Sequence, residues 1–157
     1  MNILYVIHNL GPEVPGSKSK TLAGGSEISS YTLAHTLSDR YTAYILYPES
    51  KNAQVCHLHK ISGFRNEYVK TYENLSPFHR LESFRNVLIE HKIDIIHYQH
   101  LINADPSYAL IGKSLNIPQV LSLHDYYYIC EEHFLENAKI VTCNLPQQLG
   151  ECVTCLG

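Results

Sequence analysis

Met1-Asn2-Ile3-Leu4-Tyr5-Val6-Ile7-His8 is an apolar run that gives way at His8 to polar and chain-breaking residues. So short a run, without period-two alternation, fits a central parallel strand buried on both faces. It has no cationic leader and enters a polar loop directly, so it reads as a strand and not as a secretory signal. That loop holds Gly11, Pro12, Pro15, Gly16, Gly24 and Gly25, too many breakers for regular structure, and long loops in compact domains are often functional. From Ser26 the pattern changes: Ile28, Tyr31, Leu33, Ala34 and Leu37 recur at helical spacing, with Ser26 available as a cap and Glu27 in the first turn.

Working outward, residues 41–47 and 55–60 read as further short strands, while 63–76 shows no decisive period. Phe78, Leu81, Phe84, Leu88 and Ile89 form one stripe of a helix over 77–91. A buried strand over 94–98, a helix over 106–115 and a strand over 118–123 complete the alternation. This order predicts an α/β, Rossmann-like domain: a mostly parallel sheet with helices on both faces and right-handed crossovers. Ligands of such sheets collect at the carboxyl ends of the strands. The polar residues expected there are Gly24-Gly25, the 97–100 segment and His124-Asp125; His100, beyond its strand, is favoured over His97 as a cleft residue.

The 157 residues fit one domain with a core of its own, with 45% hydrophobic and 17% charged residues. Twelve basic against fifteen acidic residues give a formal charge of -3, which offers no basic field for nucleic acid. No stretch approaches the roughly 20 apolar residues that span a bilayer. The expected location is the cytoplasm, with peripheral membrane contact as an option.

Gly24-Gly25-Ser26 at the mouth of a helix lets backbone approach a ligand, and the helix dipole there favours an anion such as a diphosphate. It also fits a plain turn, and it is neither a dinucleotide fingerprint nor a phosphate-binding loop of the Walker type. His124 follows an apolar strand, so its ring is placed to meet a sugar hydroxyl or to bond a loop carbonyl.

The combination resembles family 4 glycosyltransferases. It comprises Met1-Asn2-Ile3-Leu4-Tyr5-Val6, Gly24-Gly25-Ser26-Glu27 opening a helix, Asp94-Ile95-Ile96-His97-Tyr98-Gln99-His100-Leu101, and Asn116 to Tyr126 with Pro118 and His124-Asp125-Tyr126. The resemblance implies the N-terminal, acceptor-side half of a two-domain GT-B enzyme. Such an enzyme moves a sugar from a nucleotide-sugar donor to a saccharide or lipid-linked acceptor with retention, and needs no cofactor for the chemistry. It implies that Gly24 and Gly25 approach the donor diphosphate and that His124 contacts the donor sugar as the catalytic residue. His100, Asp125 and Tyr126 join Gly24 and Gly25 as substrate-binding candidates. Residues 1–125 are expected to form the Rossmann-like part, and 126–157 a cysteine-bearing loop of the same domain. The family's donor-binding half, with its basic clamp and paired glutamates, is not in these residues, so the isolated chain is expected to be inactive.

Cys130, Cys143, Cys152 and Cys155 fall near the end of the chain, the last two as a C-x-x-C that can present two thiolates to a structural zinc. The spacing is irregular and supplies one such knuckle, so free thiols in a loop over the cleft are the other reading. Cys56 reads as a small buried hydrophobe. The main alternative function is a non-catalytic carbohydrate- or nucleotide-binding module working with a partner chain. A third is a metal- or redox-sensing domain, which would bind metal through its tail and ignore sugars.

Overall fold

The computed structural model describes residues 1–20, 22–49, 54–74, 76–100, 104–126, 130 and 143. The chain divides into two compact units, Met1–Ser122 and Leu123–Gly157. The first contains, in order, β1 (Asn2–Val6), α1 (Gly25–Thr36), β2 (Thr42–Pro48), β3 (Val55–Ser62), β4 (Arg65–Glu73), α2 (Pro77–Glu90), β5 (Ile95–Tyr98), α3 (Tyr108–Ser114) and β6 (Gln119–Leu121). The six strands form one sheet in the order β4-β3-β2-β1-β5-β6.

β1 lies at the centre of that sheet, parallel to β2 on one side and β5 on the other, and β5 is parallel to β6. Its side chains feed both faces, as its unbroken apolar run predicts. Leu4 and Val6 join Phe84, Val87, Leu88 and Tyr108 in the core layer under α2 and α3. Ile3, Tyr5 and Ile7 join Ala34 of α1 in the other. The expected α/β architecture with helices on both faces is therefore present.

Three corrections concern local structure. Residues 63–76, without a decisive period in sequence, contain β4, which pairs antiparallel with β3, itself antiparallel to β2. Gly63 and Phe64 turn the hairpin at φ 54° and 62°, the double positive φ of a type I′ connection. Ser26 does not cap α1: Gly24 is the N-cap and Ser26 sits inside the first turn. In α2, Phe78 and Ile89 stand 73% and 52% exposed, because the buried stripe is the narrower Phe84, Val87 and Leu88. Ser76 starts that helix, its hydroxyl accepting the His79 N–H at 3.2 Å with Pro77 in the first turn.

Gly112 lets α3 lie against the sheet. A Cβ there would stand 2.7 Å from Ile96 Cδ1 and 2.8 Å from Gln119 Oε1. Gly112→Ala is expected to cost about 1–3 kcal/mol by overpacking. Thermal denaturation checks this, and an unchanged Tm would mean that the contact relaxes freely.

Candidate functional site

β1 ends at Val6, and the chain continues through buried Ile7 to His8, which is 26% exposed by side chain. At the carboxyl end of the neighbouring β5, Gln99 and His100 follow Tyr98 and donate their N–H groups back to Val6 O at 2.9 and 3.5 Å. This brings the His8 and His100 rings edge to face, 4.8 Å between centroids. His100 is 3% exposed, its ring buried against that of His8. His97, within β5, pairs its Nε2 with Ser122 Oγ at 2.9 Å.

The long loop then delivers Gly24 and Gly25 to the start of α1. Asn9 organises it, donating from Nδ2 to Leu22 O at 3.0 Å while its Oδ1 accepts the Gly11 N–H and the Ser19 hydroxyl. Gly11 requires its freedom: φ is 77°, and a Cβ would fall 2.7 Å from Ala23 Cβ.

Glu27 joins these pieces. It is 2% exposed; its Oε2 accepts the Gly24 N–H at 2.7 Å, and its Oε1 lies 2.9 Å from Ser26 Oγ and 2.8 Å from His8 Nδ1. Burial by itself would raise the carboxyl, but His8, Ser26 and the backbone outweigh it and hold the pKa at about 2. The buried ion is thus tolerated because each oxygen has a donor. His8 and Glu27 are the site residues that sequence reasoning did not single out. Their signals were present, a histidine closing the central strand and a glutamate three residues into the helix.

The two glycines differ. A Cβ on Gly24 would come 2.8 Å from Glu27 Oε2, whereas one on Gly25 would meet nothing within 4 Å. Both are exposed. Gly24 is shaped by the fold, while the space beside Gly25 is open to whatever the helix mouth receives.

Of the remaining candidates, His124 and Tyr126 are exposed and Asp125 is partly buried, all in the second unit, where Tyr126 O accepts the Cys130 N–H at 2.8 Å. Cys130 and Cys143 are partly buried, and Cys152 and Cys155 lie outside the described residues. Among the described residues no group of three or more His, Cys, Asp or Glu is placed to hold a metal, and no helix is long and apolar enough to cross a membrane. Cys56 is buried, and desolvation pushes its thiol up to about 11, which leaves it inert.

A central parallel strand, a glycine-rich turn into a helix and polar groups at the carboxyl edge define a Rossmann-like ligand-binding domain. The family model described as Glycosyltransferase Family 4 matches residues 23–147, from the Gly24-Gly25 turn to beyond His124-Asp125-Tyr126. The chain belongs to that family. No curated protein and no solved structure matches it.

Proposed function

We propose that this domain is the acceptor-side half of a retaining GT-B glycosyltransferase, taking a nucleotide-sugar donor and a saccharide or lipid-linked acceptor. The family match over residues 23–147 carries this reading, since it covers the Gly24-Gly25-Ser26-Glu27, 94–101 and 116–126 motifs of the resemblance, all but the Met1–Val6 strand. By the family resemblance the donor diphosphate would approach the start of α1 beside Gly25, and His124, Asp125 and Tyr126 are the candidates in the second unit for contacts to substrate. Any anion there meets the Glu27 carboxylate. His8, 2.8 Å from it, offsets that charge in its protonated form, so the pair sets the local field at the helix mouth. Charge that develops on a departing diphosphate is stabilised by preorganised N–H donors and cations, so here the start of α1 and a protonated His8 would supply that role against the Glu27 carboxylate.

Gly25→Ala separates a ligand approach from a plain turn. The added methyl meets no protein atom, and alanine is the better helix former, so Tm should stay level or rise. In the transferase containing this domain, kcat/KM for the donor should fall at least about tenfold if a diphosphate passes at contact distance, a loss of about 1.4 kcal/mol. Wild-type kinetics in a stably folded Gly25→Ala enzyme would remove Gly25 from the site.

A structural zinc on Cys130, Cys143, Cys152 and Cys155 belongs to the same proposal, supported by the C-x-x-C at Cys152 and Cys155. Elemental analysis of the purified protein decides it. Absence of zinc and iron would leave the four as thiols.

A further inference from the structure

Between β1 and α1 the loop crosses the face of the antiparallel β2-β3-β4 ribbon and is tied to it by side chains that the transferase reading does not use. The Lys18 N–H donates to Tyr47 Oη at 3.0 Å, and Tyr47 Oη lies 3.1 Å from His59 Nε2. His59 Nδ1 lies 3.2 Å from Asn66 Oδ1, and Asn66 Nδ2 donates to Pro15 O at 2.6 Å. The circuit begins at Lys18 and returns to Pro15, both in the loop, through one residue on each of the three strands.

Its directions are fixed by chemistry. Pro15 O can only accept, so the Asn66 amide turns its Nδ2 toward the loop and its Oδ1 toward His59. His59 must then carry its proton on Nδ1 and accept the Tyr47 hydroxyl at Nε2. That leaves a Tyr47 lone pair for the Lys18 N–H. Every member is satisfied by a neutral imidazole and by one tautomer.

We propose that residues 15–18 are a strap, fastened to the ribbon by neutral His59 and released when that ring takes a second proton. The added N–H would face the Tyr47 O–H, turning an acceptor into a donor and reversing that link. The ring has no exposed surface on which to hydrate a charge. The charged and titratable groups around it are Tyr47 on β2, His57 on β3, Tyr68 on β4 and Lys18 on the loop, with Glu49 3.6 Å from His57. Tyr68 also carries the Lys18 ammonium over its ring, 5.1 Å from the centroid.

Burial pushes the His59 imidazole below its ordinary value of 6.5; the Asn66 hydrogen bond opposes this, and His57 and Lys18 add to it. The folded ring therefore binds a proton less readily than the unfolded one. The strap's contribution is complete above 6.5 and is lost as pH falls below it toward the folded value. The same loop ends at Gly24 and Gly25, so acid would loosen the segment that leads to the helix mouth.

Amide hydrogen exchange on the intact chain at about pH 7.5 and about pH 5, corrected for the intrinsic rate, reads the strap directly. The expected result is a fall of at least about tenfold in Lys18 amide protection at the lower pH, with β1 amides unchanged as the internal reference. The midpoint should coincide with the NMR titration of the His59 ring. His59→Gln can accept from Tyr47 and donate to Asn66 but cannot charge, so it should abolish the step, while His57→Gln should keep it. Equal Lys18 protection at both pH values in the wild type overturns the proposal, as does a midpoint that follows another histidine. The wild-type measurements stand even if His59→Gln fails to fold.

Discussion

Replacing Glu27 with alanine is expected to lower the unfolding free energy by about 2–4 kcal/mol, combining a lost helix cap with lost charge-assisted hydrogen bonds in a buried place. Three groups lose their partner at once: the Gly24 N–H, the Ser26 hydroxyl and His8 Nδ1. Glu27→Gln retains an oxygen for Gly24 and should recover part of the loss. The carboxyl is held at about 2 in the fold, below its ordinary 4.5, so its contribution is present above 4.5 and is lost as pH falls through about 2. Urea unfolding of wild type and Glu27→Ala across that range should show the gap closing in acid. A gap of constant size would mean that Glu27 acts through packing, not through its charge.

A still larger loss is expected from Phe84→Ala. Phe84 is 1% exposed and its ring stacks on Tyr108 at 4.0 Å and 5°, joining α2 to α3 above the sheet. Truncating a buried phenylalanine costs about 3–5 kcal/mol through lost transfer energy and the cavity left behind. A domain of ordinary stability has about 5–15 kcal/mol in total. The variant should therefore unfold at far lower urea concentration, and Phe84→Leu should restore much of the difference. The Tyr108 hydroxyl supplies a second readout: burial pushes its pKa well above the ordinary 10.0 in the fold, so the phenol should titrate closer to that value where the stack is opened. Near-wild-type stability in Phe84→Ala would show that α2 and α3 close over the gap.

How far each element was legible follows from what its residues signal. β1 carries an unbroken apolar run because both of its faces are covered, and β5 a shorter one interrupted by His97; both stand where the sequence predicts. β4 does not announce itself. Arg65, Glu67, Tyr68, Lys70 and Glu73 face solvent at the edge of the sheet, and the turn before it uses Gly63-Phe64 instead of an asparagine-glycine pair. Phe78 and Ile89 misled for the opposite reason, being apolar residues left outside a narrow buried stripe. Gly24 and Gly25 could be found because breakers before a helical period stand out. The His8–Glu27 contact could not, since it exists only once β1 and α1 are brought together by the folded loop.

β1 is both the first strand of the chain and the middle strand of its sheet, and its N-terminal end is clasped by late residues: the Asn2 N–H donates to Asp94 Oδ2 at 2.7 Å and Asn2 Nδ2 to His91 O at 2.8 Å. As the chain leaves the ribosome, β2 soon covers one flank of this strand. The other flank has no parallel partner until β5 has emerged. Synthesis at about 5–20 residues per second makes that a wait of seconds, during which an apolar strand destined for burial on both faces has a bare edge. The nascent chain is therefore most exposed to mispairing, and to chaperone capture, before Ile95–Tyr98 clears the exit tunnel.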